Sequence, residues 1–359
     1  MTTDTSTGTG IQRGLAIALA ACVLGTAPAA RAFELDLYGQ GHLSLDRIDD
    51  GIDEESKVAS SSSRLGVRGS HALSEGMDVS FQYESGVDLT GQGGNDGNGP
   101  SDTSGLFTAA RVSFVGLSGG LGTVRAGKLN VLNEWVYDYN LFADQVGDLG
   151  NLWGGSGLPG RQSNAVQYRS PERNGLAAGV TYLPDEDTST NEDIWSVKID
   201  YEHNALRLGG AYANLDQNGG NDWRVFAVTG SYGFGRFTLG GGWQRESDIG
   251  GIAGDDRDNF TLGGSMRVGS YGTVKAQLGH SAADAADSDA TQWAVGYDHH
   301  LTEYATLYVA YASMDNDSLV RFTANNYGHG DAVSPVAGQG PSALSVGLIV
   351  RFEARLLPR

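Results

Sequence analysis

Long apolar runs are missing from this chain. Nowhere does it approach 18 consecutive apolar residues, so no segment can cross a membrane as a helix. Cysteine occurs once, at Cys22, and proline eight times in 359 residues, which excludes a disulfide framework. Basic charge is scarce. Against 43 acidic residues stand 24 basic ones, four of them lysine, for a net charge of −19, and a chain so acidic has no electrostatic footprint for nucleic acid. The seven histidines show no metal-ligand spacing. Gly122–Lys128 (GTVRAGK) imitates a phosphate loop, but Leu129 stands where a hydroxyl must reach the metal, and no helical pattern follows. What the chain has is glycine, 54 residues of it, and alternation of period two from one end to the other.

The first 32 residues differ in kind. Arg13 precedes a short apolar run, Leu15–Leu24, and Ala30-Arg31-Ala32 supplies the small residues of a cleavage site before Phe33. This is the pattern of a secretory signal peptide. Leu19-Ala20-Ala21-Cys22 also matches a lipoprotein acylation site, the rival use of the same leader. Taking away Arg13 and Arg31 from the basic residues and Asp4 from the acidic ones leaves a mature net charge of −20 and no cysteine.

The stretch Ser63–Asp88 sets the theme. Leu65 and Val67, then Met77, Val79, Phe81 and Tyr83, alternate with Arg64, Arg68, Asp78, Gln82 and Glu84 about a turn at Ser74-Glu75-Gly76. This is a β-hairpin with one apolar and one strongly polar face. Before it, Glu34–Asp46 reads as a first strand, with Leu35, Leu37, Leu43 and Leu45 on one side and Gln40, His42 and Ser44 on the other. A polar loop with six acidic residues between Asp46 and Glu55 follows. After it come a Gly/Asn-rich loop, Thr90–Gly105, and a second hairpin, Leu106–Lys128, in which Arg111 and Ser113 share one face while Val112 and Phe114 share the other.

Alternation then stops over Leu129–Gly160, a stretch holding Trp135, Tyr137, Tyr139 and Trp153 with Glu134, Asp138, Asp144 and Asp148; Asn133–Val146 reads as a short helix. Long irregular segments are usually functional. Beyond Arg161, eleven further strands bring the total to sixteen. Eight long polar connections interleave with seven short turns, as in an all-β, antiparallel, up-and-down transmembrane barrel with one rim of turns and one of loops. Such a barrel is an outer-membrane protein; an even strand count closes the sheet and leaves no edge in lipid. Glycines within strands, such as Gly240-Gly241-Gly242 and Gly263-Gly264, suit bulges and close strand approach. The expected organisation is a signal peptide over 1–32, a barrel over 33–352 and a C-terminal extension over 353–359.

The segment SRLGVRGSHALSEGMDVSFQYESGVDL resembles the second and third strands of the Gram-negative trimeric general porins, and LFTAARVSFVGLSGGLGTVRAGK the next pair. SNAVQYRSPERNGLAAGVTY and LSVGLIVRF resemble the strands after the constriction loop and the closing strand. This resemblance implies a sixteen-stranded homotrimeric diffusion channel whose third long loop folds into the lumen. It implies a basic wall of Arg64, Arg68, Arg111 and Arg161 facing an acidic loop, for which Glu134, Asp138, Asp144 and Asp148 are the candidates. Two departures stand out. Gln40 occupies a place where some relatives carry lysine, and EARLLPR runs on past the aromatic residue at which relatives end.

Opposed charges across a narrow lumen create a transverse field that favours polar, ionic and zwitterionic solutes over apolar ones. No bond is made or broken, and neither an enzyme activity nor a resident cofactor is expected. Trp223, Trp243, Trp293, Tyr304 and Tyr311 are candidates for interfacial girdles. The run Asp255-Asp256-Arg257-Asp258 is a candidate for holding Ca or Mg ions that bridge lipopolysaccharide phosphates. The competing readings are a barrel enzyme or adhesin, with His42 and His71 as the available histidines, and a secreted soluble β-protein.

Overall fold

The computed structural model describes residues 33–73, 76–91, 107–132, 134–186, 192–330 and 335–357. The expected leader with Cys22, Ser74 and Glu75 of the first turn, and most of the Thr90–Gly105 loop lie outside these residues. The first strands are β1 (Glu34–Asp49), β2 (Glu54–Ser60), β3 (Arg64–Ala72), β4 (Asp78–Val87), β5 (Phe107–Ala110), β6 (Ser113–Gly119) and β7 (Gly122–Asn130). After the interruption come β8 (Arg161–Arg169), β9 (Leu176–Leu183), β10 (Ile194–His203), β11 (Leu206–Leu215), β12 (Trp223–Phe234) and β13 (Phe237–Ser247). The last are β14 (Arg257–Val268), β15 (Gly272–Ala283), β16 (Ala290–His300), β17 (Ala305–Asn316) and β18 (Ser342–Leu357). All pairings are antiparallel, and β1 with β18 closes the sheet.

Eighteen segments make sixteen barrel positions, because β2 and β3 pair in succession along β1, as β5 and β6 do along β4. The expected count therefore holds, with two strands broken. The first break is the serine run 60–63, where Ser62 adopts a positive φ and His42 N–H donates to Ser63 Oγ in place of a ladder bond. The second lies at Arg111–Val112 and shifts the phase of the strand by one. Val115 points outward at 61% exposure, and Phe114 turns inward beneath the Arg125 guanidinium, 4.7 Å from its ring; Val112 and Phe114 both pack against the interior cluster, as expected of a shared side, but Arg111 is buried inside with them rather than opposite them. The expected acidic loop after β1 is also corrected: it is a four-residue turn, and Asp46, Asp49, Glu54 and Glu55 belong to β1 and β2.

Burial is inverted relative to a protein folded in water. Leu45, Leu262 and Val346 are 61%, 66% and 47% exposed, whereas Gln244, Asn259, Ser281 and Ser345 have no accessible surface. An apolar outer face and a polar inner face belong to a barrel set in lipid, and the closed sheet leaves no unpaired edge there. Aromatic pairs line the outer face near the long connections: Trp195 with Tyr212, Phe226 with Trp243 and Trp293 with Tyr311. Phe234, Phe237, Tyr271 and Tyr304 stand near the short turns. Trp223 departs from the expected girdle, because its phase on β12 turns it inward, and it is 6% exposed within the interior cluster. The segment that imitates a phosphate loop is β7, a strand. Past Phe352 the extension is not free. Glu353, Ala354 and Arg355 continue the ladder against Tyr38, Leu37 and Asp36.

Candidate functional site in the barrel lumen

The segment between β7 and β8 carries too many apolar residues to lie in water. Val131, Leu132, Trp135, Val136, Leu149, Leu152 and Trp153 form one cluster with Ala211, Ala213, Leu215, Val225 and Ala227 of the inner wall. Phe142 and Val146 form a second with Ala294, Tyr308, Ala310 and Ala312. The loop thus lies on the polar face of the sheet, within the barrel. The expected helix over 133–146 is only a 3-10 turn, Glu134–Tyr137, and a single α-turn follows at Gly150–Trp153. Wall glycines make room for it: a Cβ on Gly242 would stand 2.8 Å from Trp153, and one on Gly279 2.7 Å from Leu152. The β13–β14 register runs unbroken through Gly240–Gly242 and Gly263–Gly264, so no bulge forms there: Gly240, Gly242 and Gly263 give the loop clearance, while a Cβ on Gly241 would run into Thr261 O and one on Gly264 would stand 2.8 Å from Leu239, the expected close approach of strands.

Polar wall residues anchor the loop. Trp135 Nε1 donates to Gln244 Oε1 at 2.7 Å, and Gln244 Nε2 donates to Trp153 O at 2.9 Å. Lys275 Nζ reaches Gln145 Oε1 at 2.8 Å, and Gln292 Nε2 reaches Gly147 O at 2.8 Å. Asp148 is wholly buried and accepts from Asn140 Nδ2, Asp144 N and Gly150 N at 2.7, 2.8 and 2.8 Å. Burial, then the neighbouring Asp144 charge, push its carboxyl up to about 7 against the pull of these donors. It shapes the loop and presents no surface to a solute.

The other named residues fall into separate groups. Arg64 meets Asp144 at 3.7 Å, the contact that joins the basic wall to the acidic loop. Arg111 is buried and bound to Glu84 at 2.7 Å, an ion pair within the wall. Arg68 pairs with Glu353 at 2.6 Å and Asp36 at 3.8 Å, away from the loop. Arg161 lies within electrostatic reach of Arg111, Tyr137 and Tyr327. Asp138 pairs with Lys198 at 2.9 Å and accepts from Thr229 Oγ1 at 2.7 Å. Glu134 accepts from Gln167 Nε2 at 3.1 Å, and burial raises its carboxyl above the ordinary range. At the outer rim, Asp256 and Asp258 both converge on Arg245, which compensates their charge internally.

A family model for Gram-negative porins matches residues 16–319. The chain belongs to the Gram-negative porin family. It is 32% identical over 273 residues to outer membrane porin protein 32 of Delftia acidovorans, covering 71% of this chain and 75% of that one. It is 30% identical over 214 residues to the major outer membrane protein P.IB of Neisseria gonorrhoeae, a match spanning 56% of this chain and 57% of that protein's length. Among solved structures, the anion-selective porin from Comamonas acidovorans superposes with a TM-score of 0.76 at 26% identity, covering 89% of this chain and all of that one.

Besides Lys275, the lumen bases Lys198 and Arg351 of this porin escaped the sequence reading. Lys198 holds both Asp138 and Asp200, and Arg351 on the closing strand donates from Nε to Gln40 Oε1 at 3.0 Å. Arg64, Gln40 and Arg351 are direct cross-strand partners on β3, β1 and β18, so they form one row across the wall. The signal for Arg351 is its phase, opposite to Val350 and Phe352. Of the histidines weighed for an enzyme, His71 stacks on Phe33 and His42 is buried against Tyr308. A Ser61–His329–Asp46 chain of hydrogen bonds exists, but each member is sealed from solvent, so no substrate carbonyl can reach the serine.

Proposed function

We propose that this porin is a water-filled outer-membrane channel for passive diffusion of small hydrophilic solutes and ions, with anions favoured at the constriction. One observation carries the reading: the infolded loop sets a single carboxylate, Asp144, against a wall row that holds two guanidinium groups, Arg64 and Arg351. Glu84, which binds Arg111, also stands 4.0 Å from Arg64, and Lys198 is matched by Asp138 and Asp200, so Arg64, Arg111 and Arg351 face two carboxylates, Asp144 and Glu84, and keep an excess of positive charge. The field of such a row acts on ions in transit, whereas the large negative net charge acts mainly through the outer loops. No bond-making chemistry is assigned, and among the described residues the Ser61–His329–Asp46 chain, sealed from solvent, gives the barrel enzyme reading no support.

The proposed assembly is a homotrimer embedded in outer-membrane lipid and lipopolysaccharide, which the apolar outer face and its aromatic girdles suit. The test is planar-bilayer conductance of detergent-extracted protein with a reversal potential across a KCl gradient. Steps closing in threes with a potential of anionic sign are expected. Folded protein that never conducts would sink the channel reading, and a potential of cationic sign would overturn the assignment of the row.

A further inference from the structure

The last long connection, between β17 and β18, turns back onto the constriction loop. Ala324 O accepts from Gly147 N at 2.7 Å, Asn151 Oδ1 accepts from the backbone N–H groups of Asn326 and Tyr327, and Ser62 Oγ donates to Gly328 O at 3.0 Å. At the centre of this contact sits His329, with no accessible surface. Its Nε2 lies 2.8 Å from Asp46 Oδ2 on β1, and its Nδ1 lies 3.1 Å from Ser61 Oγ and 3.3 Å from Asp144 O. One side chain thus touches the wall, the serine break and the main chain of the residue that faces Arg64.

We propose that His329 is a positioning residue of the channel: its imidazole rivets the last loop and the constriction loop to the wall, and so fixes where the Asp144 carboxylate stands against Arg64. The inference rests on the channel reading above. Both ring nitrogens face acceptors, a carboxylate on one side and a peptide carbonyl on the other. The imidazolium, with two N–H groups, serves both acceptors, whereas a neutral ring keeps Nε2–H on Asp46, takes the Ser61 hydroxyl at Nδ1 and gives up Asp144 O. The groups around it are few. From β1 come Asp46 and His42, whose ring centroid is 6.4 Å away; from the constriction loop comes Asp144, paired with Arg64 of β3 and bound through its N–H to Asp148; from β17 comes Tyr308, on His42.

Burial alone pushes His329 down, but the hydrogen bond and charge of Asp46, with Asp144 behind them, outweigh it and raise the imidazole above its ordinary 6.5. A raised histidine holds its full contribution below the ordinary value and loses it as pH climbs through the raised one. The rivet is therefore closed at and below the ordinary value and loosens as pH climbs through the raised one, at most about tenfold per pH unit for one proton.

The experiment is single-channel conductance and reversal potential from pH 6 to pH 10, in wild type, His329→Gln and Asp148→Asn. Wild type and Asp148→Asn are expected to shift together above neutrality, while His329→Gln shows no such shift. A flat wild-type profile, or one that survives in His329→Gln, overturns the proposal while leaving the channel reading intact; a protein that never conducts fails the channel reading instead. Where the variant does not assemble, hydrogen exchange of wild type decides. Protection of backbone amides over 322–330, corrected for intrinsic rate, should fall as pH climbs through the raised value, by at most about tenfold per pH unit, and protection unchanged up to pH 10 overturns the rivet.

Discussion

Arg64 and Arg351 donate to the same atom, Gln40 Oε1, at 3.4 and 3.0 Å. Two like charges are held side by side by one neutral amide, so a neutral residue at position 40 does not strip this part of the wall of positive charge, which Arg64 and Arg351 supply from the strands on either side. The neighbouring row repeats the logic with the signs interleaved, since Asp36 on β1 stands between Arg68 on β3 and Arg355 on β18.

The first prediction concerns that row. Arg351→Gln should move the reversal potential toward cation preference, and the Arg64→Gln/Arg351→Gln double variant should move it further. Screening sets the conditions: with a Debye length of about 10 Å at 0.1 M salt and about 3 Å at 1 M, the difference should be clear in dilute KCl and shrink in concentrated KCl. Identical potentials for wild type and Arg351→Gln at 0.1 M would remove the row from the filter.

Gln244 is the buried link between the two tryptophans of the loop. Gln244→Leu keeps the volume but leaves the Trp135 N–H and the Trp153 carbonyl without partners, at a cost of about 1–3 kcal/mol for each stranded group. The expected outcome is a barrel that still assembles, with faster hydrogen exchange over 134–154 and noisier open-channel current. Exchange unchanged from wild type would show that apolar packing alone holds the loop.

Asp148 predicts a slope in stability. Its carboxyl rises from an ordinary 3.8 to about 7 in the folded protein, so the folded state keeps a proton that the unfolded chain has released. The favourable contribution is complete below the ordinary value and is lost as pH rises to about 7, a change of at most about 4 kcal/mol. Asp148→Asn removes the titration but turns an amide donor toward Asp144 N–H, at about 1–3 kcal/mol. The difference between the unfolding midpoints of variant and wild type should therefore narrow as pH is raised from 4 to 7.5. A difference that does not change with pH would refute the assignment.

Period two is a strong signal because each strand must turn one face to lipid, and so the barrel, its sixteen positions and the inward phase of Arg64 and Arg68 were legible. The breaks were not. A one-residue phase shift at Arg111–Val112 leaves composition untouched, yet it reverses Phe114, and the serines at 60–63 look like a loop until Ser61 and Ser63 are seen bridging His329 and His42. In the constriction loop, charge was visible but its direction was not. Asp144 and Asp148 are four residues apart in one acidic loop, and only the contacts with Arg64, on another strand, and with Asn140 decide that one faces the wall charge and the other is buried. Lys198 was hidden by the same ambiguity, since any charged residue on a polar face looks alike until a loop reaches it.

The extension after Phe352 gives the last prediction. Glu353–Leu357 prolongs β18 along the start of β1, and the ion pairs Arg68–Glu353 at 2.6 Å and Arg355–Asp36 at 3.1 Å tie β3, β1 and β18 together at the seam. Arg68, Glu353 and Arg355 are well exposed, and exposed pairs are worth about 0–1 kcal/mol each, so the seam gains chiefly from added ladder bonds. A chain ending at Phe352 keeps the Arg64–Gln40–Arg351 row whole. It should assemble, conduct with the selectivity of wild type, and lose its heat-resistant assembled form a few degrees earlier on electrophoresis. Failure of the shortened chain to assemble at all would mean that the extension acts in closing the barrel, because the conducting row does not depend on it.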